Sequence, residues 1–323
     1  MPLLEVNNLH TYFKTEQGVS KAVNGVTFSL EERKTLGIVG ESGSGKSVSA
    51  LSIIKLLDEN GFIAAGSIIF EGKELTKIDR KQMNEIRGNA ISVIFQEPMT
   101  CLNPVLTIGR QLAEVYLIHQ RIKRNEAKKQ AILMLEKVQI SNPEAIMKQY
   151  PHQLSGGMRQ RIMIAMALAC EPRILIADEP TTALDVTIQS QILLLMKELK
   201  ETMGTSIIFI THDLGVIREI ADEVVVMYCG QVVERGKVTV LFRKGNIQHP
   251  YTQGLLAFLP RMDTDKEKPL EVISGSVPTP LSLPKGCKFA PRCKYATSEC
   301  IESEPELMEH EAEHWIRCFH ATR

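Results

Sequence analysis

The sequence carries no excess charge of either sign: 38 Lys and Arg stand against 38 Asp and Glu. Bulk charge therefore gives no argument for nucleic acid as a partner. No run of about eighteen apolar residues occurs, which excludes a helix of the kind read as a bilayer span. The first residues, Met1-Pro2-Leu3-Leu4-Glu5, do not resemble a secretory signal. Heptad runs are missing, which speaks against a coiled-coil arm. Close Cys-x₂₋₄-Cys pairs are missing too, although the chain has seven cysteines. Disorder is excluded by the 44% of apolar residues, and 323 residues suffice for a large α/β domain with an appendage.

What is present begins with Gly40-Glu41-Ser42-Gly43-Ser44-Gly45-Lys46-Ser47. The apolar run Thr35-Leu36-Gly37-Ile38-Val39 before it reads as a buried strand, and 48–57 continues with helical spacing. Strand, glycine-rich turn and helix form the context that the phosphate-loop pattern G-x-x-x-x-G-K-[ST] requires. Glycines let successive N–H groups converge on one anion, and the helix start adds partial positive charge. Lys46 is placed to reach the β- and γ-phosphates, and Ser47 to ligate Mg²⁺.

A second apolar run, Arg173-Ile174-Leu175-Ile176-Ala177, ends in Asp178-Glu179-Pro180. Asp178 suits Mg²⁺, and Glu179 suits the orientation or activation of a water. Gln96 closes the strand-like Ile91-Ser92-Val93-Ile94-Phe95, with reach to a metal and to a neighbouring domain. His212 follows the buried run Ser206-Ile207-Ile208-Phe209-Ile210-Thr211. A lone histidine there is as readily structural as functional. Polar residues at several strand ends fit an open α/β sheet, where ligands gather. Leu154-Ser155-Gly156-Gly157-Met158-Arg159-Gln160 precedes an apolar run of helical length at 158–169. It reads as another helix start with exposed N–H groups, suited to a γ-phosphate, or as an ordinary serine cap.

Residues 1–96 and 165–245 alternate strand and helix patterns and read as the nucleotide-binding core. Residues 97–164 read as an inserted helical subdomain, with a helix over 125–139 that Asn125 can cap. Residues 246–323 are irregular and proline-marked, and hold Cys287, Cys293, Cys300 and Cys318. Cys101, Cys170 and Cys229 read as small buried hydrophobes. For the clustered four, disulfides are disfavoured in a reducing compartment. Gaps of five, six and seventeen residues fit structural zinc poorly. An iron–sulfur cluster and plain free thiols both remain open.

The ordered set made by the phosphate loop, Gln96, Leu154-Ser155-Gly156-Gly157-Met158, Asp178-Glu179, Ala183-Leu184-Asp185 and His212 resembles the ATP-binding subunits of ABC transporters. The tail sharpens the resemblance. Gln248-His249-Pro250-Tyr251-Thr252, then Gly286-Cys287-x-Phe289-x-x-Arg292-Cys293, is similar to the oligopeptide and dipeptide importer branch. The resemblance implies an α/β fold: a P-loop NTPase (RecA-like) core with a mixed sheet, an inserted α-helical subdomain and a cysteine-containing C-terminal extension. It implies a head-to-tail dimer in which Ser155, Gly156 and Gly157 of one chain, with Asp185 nearby, complete the ATP site of the other. Phe13, with Tyr12 beside it, fits the register of the adenine-stacking ring. His212 becomes the switch histidine that supports the transition state, and Gln96 a ligand of Mg²⁺. Cys287, Cys293, Cys300 and Cys318 become ligands of a [4Fe-4S] cluster. His314 and His320 nearby read as surface residues, with spare ligands as the alternative. Ala290 and Lys294 depart from the histidine and proline common in the family, as Arg33-Lys34 departs from Gly-Glu.

The activity implied is ATP hydrolysis that drives peptide uptake through two permeases, with an extracytoplasmic binding protein delivering cargo. A second ATPase subunit of related type and a peripheral place on the cytoplasmic face of the membrane go with it. The segment Pro98-Met99-Thr100-Cys101-Leu102-Asn103-Pro104 would receive the permeases' coupling helices. A soluble ABC-type ATPase of nucleic-acid processing is the alternative. It is weighed down by the single phosphate loop and the lack of a coiled-coil insertion. A small-molecule kinase is disfavoured by the 154–160 segment.

Overall fold

Runs of apolar residues unbroken by polar ones dictate strands that are covered on both faces. A computed structural model describes residues 2–96, 101–182, 184–243, 245–257 and 273–321. Its strands are, in chain order, β1 (Leu4–Thr15), β2 (Gly18–Leu30), β3 (Thr35–Val39), β4 (Gly61–Phe70), β5 (Lys73–Glu74), β6 (Ile91–Ile94), β7 (Ile174–Asp178), β8 (Ser206–Thr211), β9 (Glu223–Tyr228), β10 (Gln231–Lys237), β11 (Met308–Glu311) and β12 (His314–Ile316). Every residue of β3, β7 and β8 is buried. The chain divides into two compact units, Met1–Leu30 with Thr35–Lys77 and Ile210–Arg323, and Glu31–Lys34 with Ile78–Phe209.

In the first unit, β1 lies between β2 and β4 in an antiparallel sheet of order β2-β1-β4-β5. A second run of strands has the order β11-β12-β10-β9-β3. Here β3 pairs with β9 in parallel, Leu36 opposite Glu223 and Val39 opposite Val226. The remaining pairs are antiparallel, so the sheet is mixed. Cys229 and Gly230 join β9 to β10 with φ of +46° and +78°. Two positive φ values in a two-residue loop match the right-handed twist of a hairpin. Through β12, residues of the C-terminal extension continue this sheet, with Ile316 opposite Glu234.

The helix Leu214–Ile220 lies so close over β3 that a Cβ on Gly37 would stand 2.7 Å from Ile217 Cδ1. Asp213 caps that helix by accepting from the Gly215 and Val216 N–H groups.

In the second unit, β6 and β7 pair in parallel, Ile91 opposite Ile174 and Ile94 opposite Ala177. Helices Ile108–His119, Arg124–Lys137 and Gly156–Leu168 follow β6 in the chain. Ala127, Ala131, Met134 and Leu135 form the buried stripe of the middle one. That spacing of four, three and one is the period of a helix with one face inward. The expected Asn125 cap is corrected. Lys123 holds the extended N-cap position, without a side-chain bond, because the chain already turns helical at Arg124. The turn Arg33-Lys34 is tolerated with Arg33 at φ +57°, its N–H bonded to the Ser206 hydroxyl.

Burial corrects three further expectations. Cys101 is exposed and Cys170 half-buried, so of that trio only Cys229 is a buried hydrophobe. His314 is no surface residue: it is fully buried, its Nε2 2.9 Å from the equally buried Glu234 carboxylate.

Candidate functional site

Val39 ends β3 and the chain enters the glycine-rich loop at once. A Cβ on Gly40 would stand 2.2 Å from the Met227 carbonyl oxygen. One on Gly45, at φ +97°, would stand 2.5 Å from that of Ala22. Only glycine fits either place, by close approach and by backbone angle. The helix Lys46–Ile53 starts at Gly45 with no side-chain cap, and a helix start is suited to an anion. The Lys46 ammonium donates to the carbonyls of Gly40 and Glu41, at 2.6 and 2.9 Å, and the residue is buried. The buried Ser44 hydroxyl makes no hydrogen bond among the described residues. An unsatisfied buried hydroxyl inside a loop of converging amides suits an oxygen-rich anion. Ser42 and Gly43 are exposed at the tip, and Ser47 is half-buried at the helix start.

Phe13 is half-buried in β1, seated so closely on Gly61 that a Cβ there would stand 2.7 Å from the ring. Tyr12 is tied to Asn24 through its hydroxyl and meets Phe62 edge-on. His212 is exposed in the bend between β8 and the helix Leu214–Ile220.

In the second unit, Asp178 is the buried last residue of β7. Glu179 follows at φ +46°, a left-handed conformation that a glutamate adopts at a cost of roughly 1–3 kcal/mol. Its carboxylate accepts from the Gln96 amide at 3.2 Å and from the Thr182 hydroxyl at 2.9 Å. Gln96 thus stands beside the catalytic candidate, as the sequence places it at a strand end. Thr182 is a partner that sequence reading missed. Its signal is weak, a threonine three residues on.

Ser155 does cap the helix Gly156–Leu168, accepting from the Met158 N–H at 3.3 Å. Ser155 and Gly156 are nonetheless exposed. A Cβ on Gly157 would come 3.2 Å from Ile188 Cγ2. Asp185 caps the helix Val186–Met203 through the Ile188 N–H, so cap and signature adjoin. Ala183 lies outside the described residues, as do Pro98, Met99 and Thr100. Beyond them, the buried Gln111 side chain pins the Asn103 and Leu106 backbone.

The tail brings Cys287, Cys293, Cys300 and Cys318 to the wall of one apolar cavity with Phe289 and His320. The Cys300 sulfur lies 3.5 Å from His320 Nε2. Burial pushes the thiols of Cys287, Cys293 and Cys318 above their ordinary range. All four are free thiols. The donor type suits a soft metal centre, though the gaps of five, six and seventeen residues fit structural zinc poorly. Among the described residues no three His, Cys, Asp or Glu side chains converge closely enough to hold an ion. The four expected cluster ligands thus share one thiol-lined cavity wall.

Sequence reading also missed two tail residues that touch the phosphate loop. The Arg292 guanidinium pairs with the Glu41 carboxylate, and the Tyr251 hydroxyl accepts from the Glu41 N–H at 2.7 Å. Both stand in the tail motifs, but nothing in a linear sequence joins them to residue 41.

The family profile described as ABC transporter matches residues 23–182, and that described as oligopeptide/dipeptide transporter, C-terminal region, matches 233–300. The oligopeptide transport ATP-binding protein AppD of Bacillus subtilis is 54% identical over 98% of this chain and 96% of its own. The oligopeptide transport ATP-binding protein OppD of Haemophilus influenzae is 51% identical, over 93% and 91%. A dimeric structure of the ATP-binding cassette MJ0796, in a post-hydrolysis state with ADP and Pi, aligns with a TM-score of 0.65 at 28% identity, covering 73% of this chain and 98% of that one. The fold is that of an ABC ATPase, and the chain belongs to the ABC-transporter ATP-binding proteins, in the branch that bears the oligopeptide/dipeptide transporter C-terminal region.

Proposed function

We propose that the chain hydrolyses ATP as one subunit of an importer that carries peptides across a membrane. One observation carries the reading. The loop 40–47 holds a lysine ammonium, an uncapped helix start and an unbonded buried hydroxyl, in a chain 54% identical to an oligopeptide transport ATP-binding protein.

The residues take the following roles. The loop amides from Gly40 to Ser47 and the Lys46 ammonium hold the phosphates, and Phe13 stacks on the base. The Ser47 hydroxyl, Gln96 and Asp178 are the residues that would hold Mg²⁺, which when bound neutralises phosphate charge. Glu179 orients a water for in-line attack on the γ-phosphorus and accepts its proton, with Gln96 and Thr182 fixing the carboxylate. His212 supports the developing charge. Ser155, Gly156, Gly157 and Asp185 serve the nucleotide of a second ATPase subunit, so that two chains close on ATP as a pair. Positioning and charge stabilisation supply most of the acceleration.

The same reading divides the chain at residue 245 into an ATPase domain and the extension 246–323. It assigns as partners a related, non-identical ATPase subunit, two permeases docked at 98–104 and an extracytoplasmic peptide-binding protein. No described helix is long and apolar enough to cross a membrane. As the ATP-binding subunit of such an importer, the chain works as a peripheral subunit on the cytoplasmic face. The finer reading of the tail, a four-iron cluster, is supported by four cysteines that share one cavity wall. Iron analysis and visible absorption of anaerobically purified protein test it; zinc or no metal refutes it.

The decisive experiment reconstitutes the chain with its permeases and binding protein in vesicles and follows a labelled oligopeptide. ATP-dependent uptake that vanishes with Lys46→Ala is expected. Uptake indifferent to ATP, or to Lys46, overturns the reading.

A further inference from the structure

Glu41 is an acidic residue in a loop that serves anionic phosphates, and it is anchored at every polar group it has. Its N–H donates to the Tyr251 hydroxyl, and its carbonyl accepts from Lys46. Its carboxylate takes two bonds from Arg292, at 2.6 and 3.1 Å. The Arg292 side chain is 4% exposed, and all five of its donors are used. Besides Glu41, they reach the Tyr228 hydroxyl at 3.3 Å and the carbonyls of Ser274 and Ile273 at 3.1 and 3.4 Å. A fork held on its far side by fixed acceptors cannot drift with the loop it grips.

The support behind it is equally rigid. Tyr228 ends β9, next to the strand that feeds the loop. Its ring packs on Tyr251 at 4.6 Å and on Phe289 at 5.2 Å between centroids. Phe289, Arg292 and Tyr251 all belong to the C-terminal extension. Burial lifts the Tyr251 phenol above its ordinary range, so it stays a neutral acceptor for the Glu41 N–H.

We propose that Arg292 is a positioning residue for ATP: the C-terminal extension clamps the start of the phosphate loop through the Arg292–Glu41 pair and cancels a charge that would otherwise repel phosphate. The inference rests on the ATP reading of the loop. It makes the extension part of the nucleotide site rather than an appendage. It also gives a sign that a merely structural contact would not give. Removing Arg292 exposes a lone carboxylate to the phosphates, and removing that carboxylate as well relieves the repulsion.

The test measures binding of a fluorescent ATP analogue with Mg²⁺ to the full chain and three clamp variants, with circular dichroism to verify folding. Arg292→Ala should weaken binding about tenfold or more, the scale of losing a charge-assisted two-point contact. Arg292→Lys should fall between, because it keeps the charge and loses the fork. The double variant Glu41→Gln/Arg292→Ala should regain much of the lost affinity. Unchanged binding in Arg292→Ala, or a double variant as weak as the single, overturns the clamp. Should Arg292→Ala fail to fold, Arg292→Lys decides: wild-type affinity there overturns it as well. Lys46→Ala run alongside separates the two levels. If Lys46→Ala binds normally, the ATP reading itself has failed; if it loses binding while Arg292→Ala does not, only the clamp has.

Discussion

The Gln96 amide donates to the Glu179 carboxylate across 3.2 Å, although 83 residues separate them in the chain. Glu179 meets that amide from a left-handed backbone turn directly after the buried β7. A side chain held by two donors at a strained backbone has one orientation and not several. That is what a group charged with aiming a water needs.

Glu179→Gln keeps the shape of the side chain and removes its basicity. ATP turnover should fall by about 10²- to 10⁴-fold while nucleotide binding persists. Steady-state phosphate release together with equilibrium nucleotide binding checks this; undiminished turnover would show that another group handles the proton.

Lys46→Ala removes the ammonium that the Gly40 and Glu41 carbonyls hold in the loop. Nucleotide binding should be nearly abolished. Isothermal titration with Mg-ATP is the direct measurement, and a wild-type isotherm would refute the phosphate role of the loop.

Gly157→Val places a branched side chain where even a Cβ lies 3.2 Å from Ile188. If the exposed signature serves a partner's nucleotide, hydrolysis should drop by about a hundredfold. The chain's own affinity for ATP should stay the same. Loss of affinity in the isolated chain would instead place Gly157 at its own site.

Gly37→Ala drives a methyl against Ile217, only 2.7 Å from Cδ1. Overpacking of this kind costs about 1–3 kcal/mol. Urea denaturation should show the midpoint falling; an unmoved midpoint would mean the helix Leu214–Ile220 retreats without penalty.

His249 is buried, and its Nδ1 accepts the Tyr251 N–H, so the ring is held neutral. Burial lowers its pKa from 6.5 to about 4, outweighing the Glu234 carboxylate that pulls it up, while Arg317 pushes the same way as burial. Between those two values the unfolded chain binds the proton and the folded chain does not. Stability is therefore fully present above pH 6.5 and declines as pH falls towards 4. The loss amounts to about 3 kcal/mol at most. Denaturation midpoints across this range, compared with His249→Gln, measure it, and equal slopes for both chains would assign the pH dependence elsewhere.

Much of this protein was determined by its order of residues. The buried strands β3, β7 and β8 follow from unbroken apolar runs, because a strand covered on both faces admits no polar residue between its ends. The loop 40–47 and the signature helix were legible for a related reason. A phosphate cradle needs glycine angles, a lysine and a helix start within eight neighbouring residues, and so it is written locally. Tertiary structure alone decided what lies far apart in the chain. It set the Thr182 and Gln96 grip on Glu179, buried His314 against Glu234, and left Cys101 exposed. It also laid Arg292 on Glu41 across 251 positions of sequence. Such pairings depend on where sheets and turns carry each end of the chain, and no spacing or period along the sequence encodes that placement.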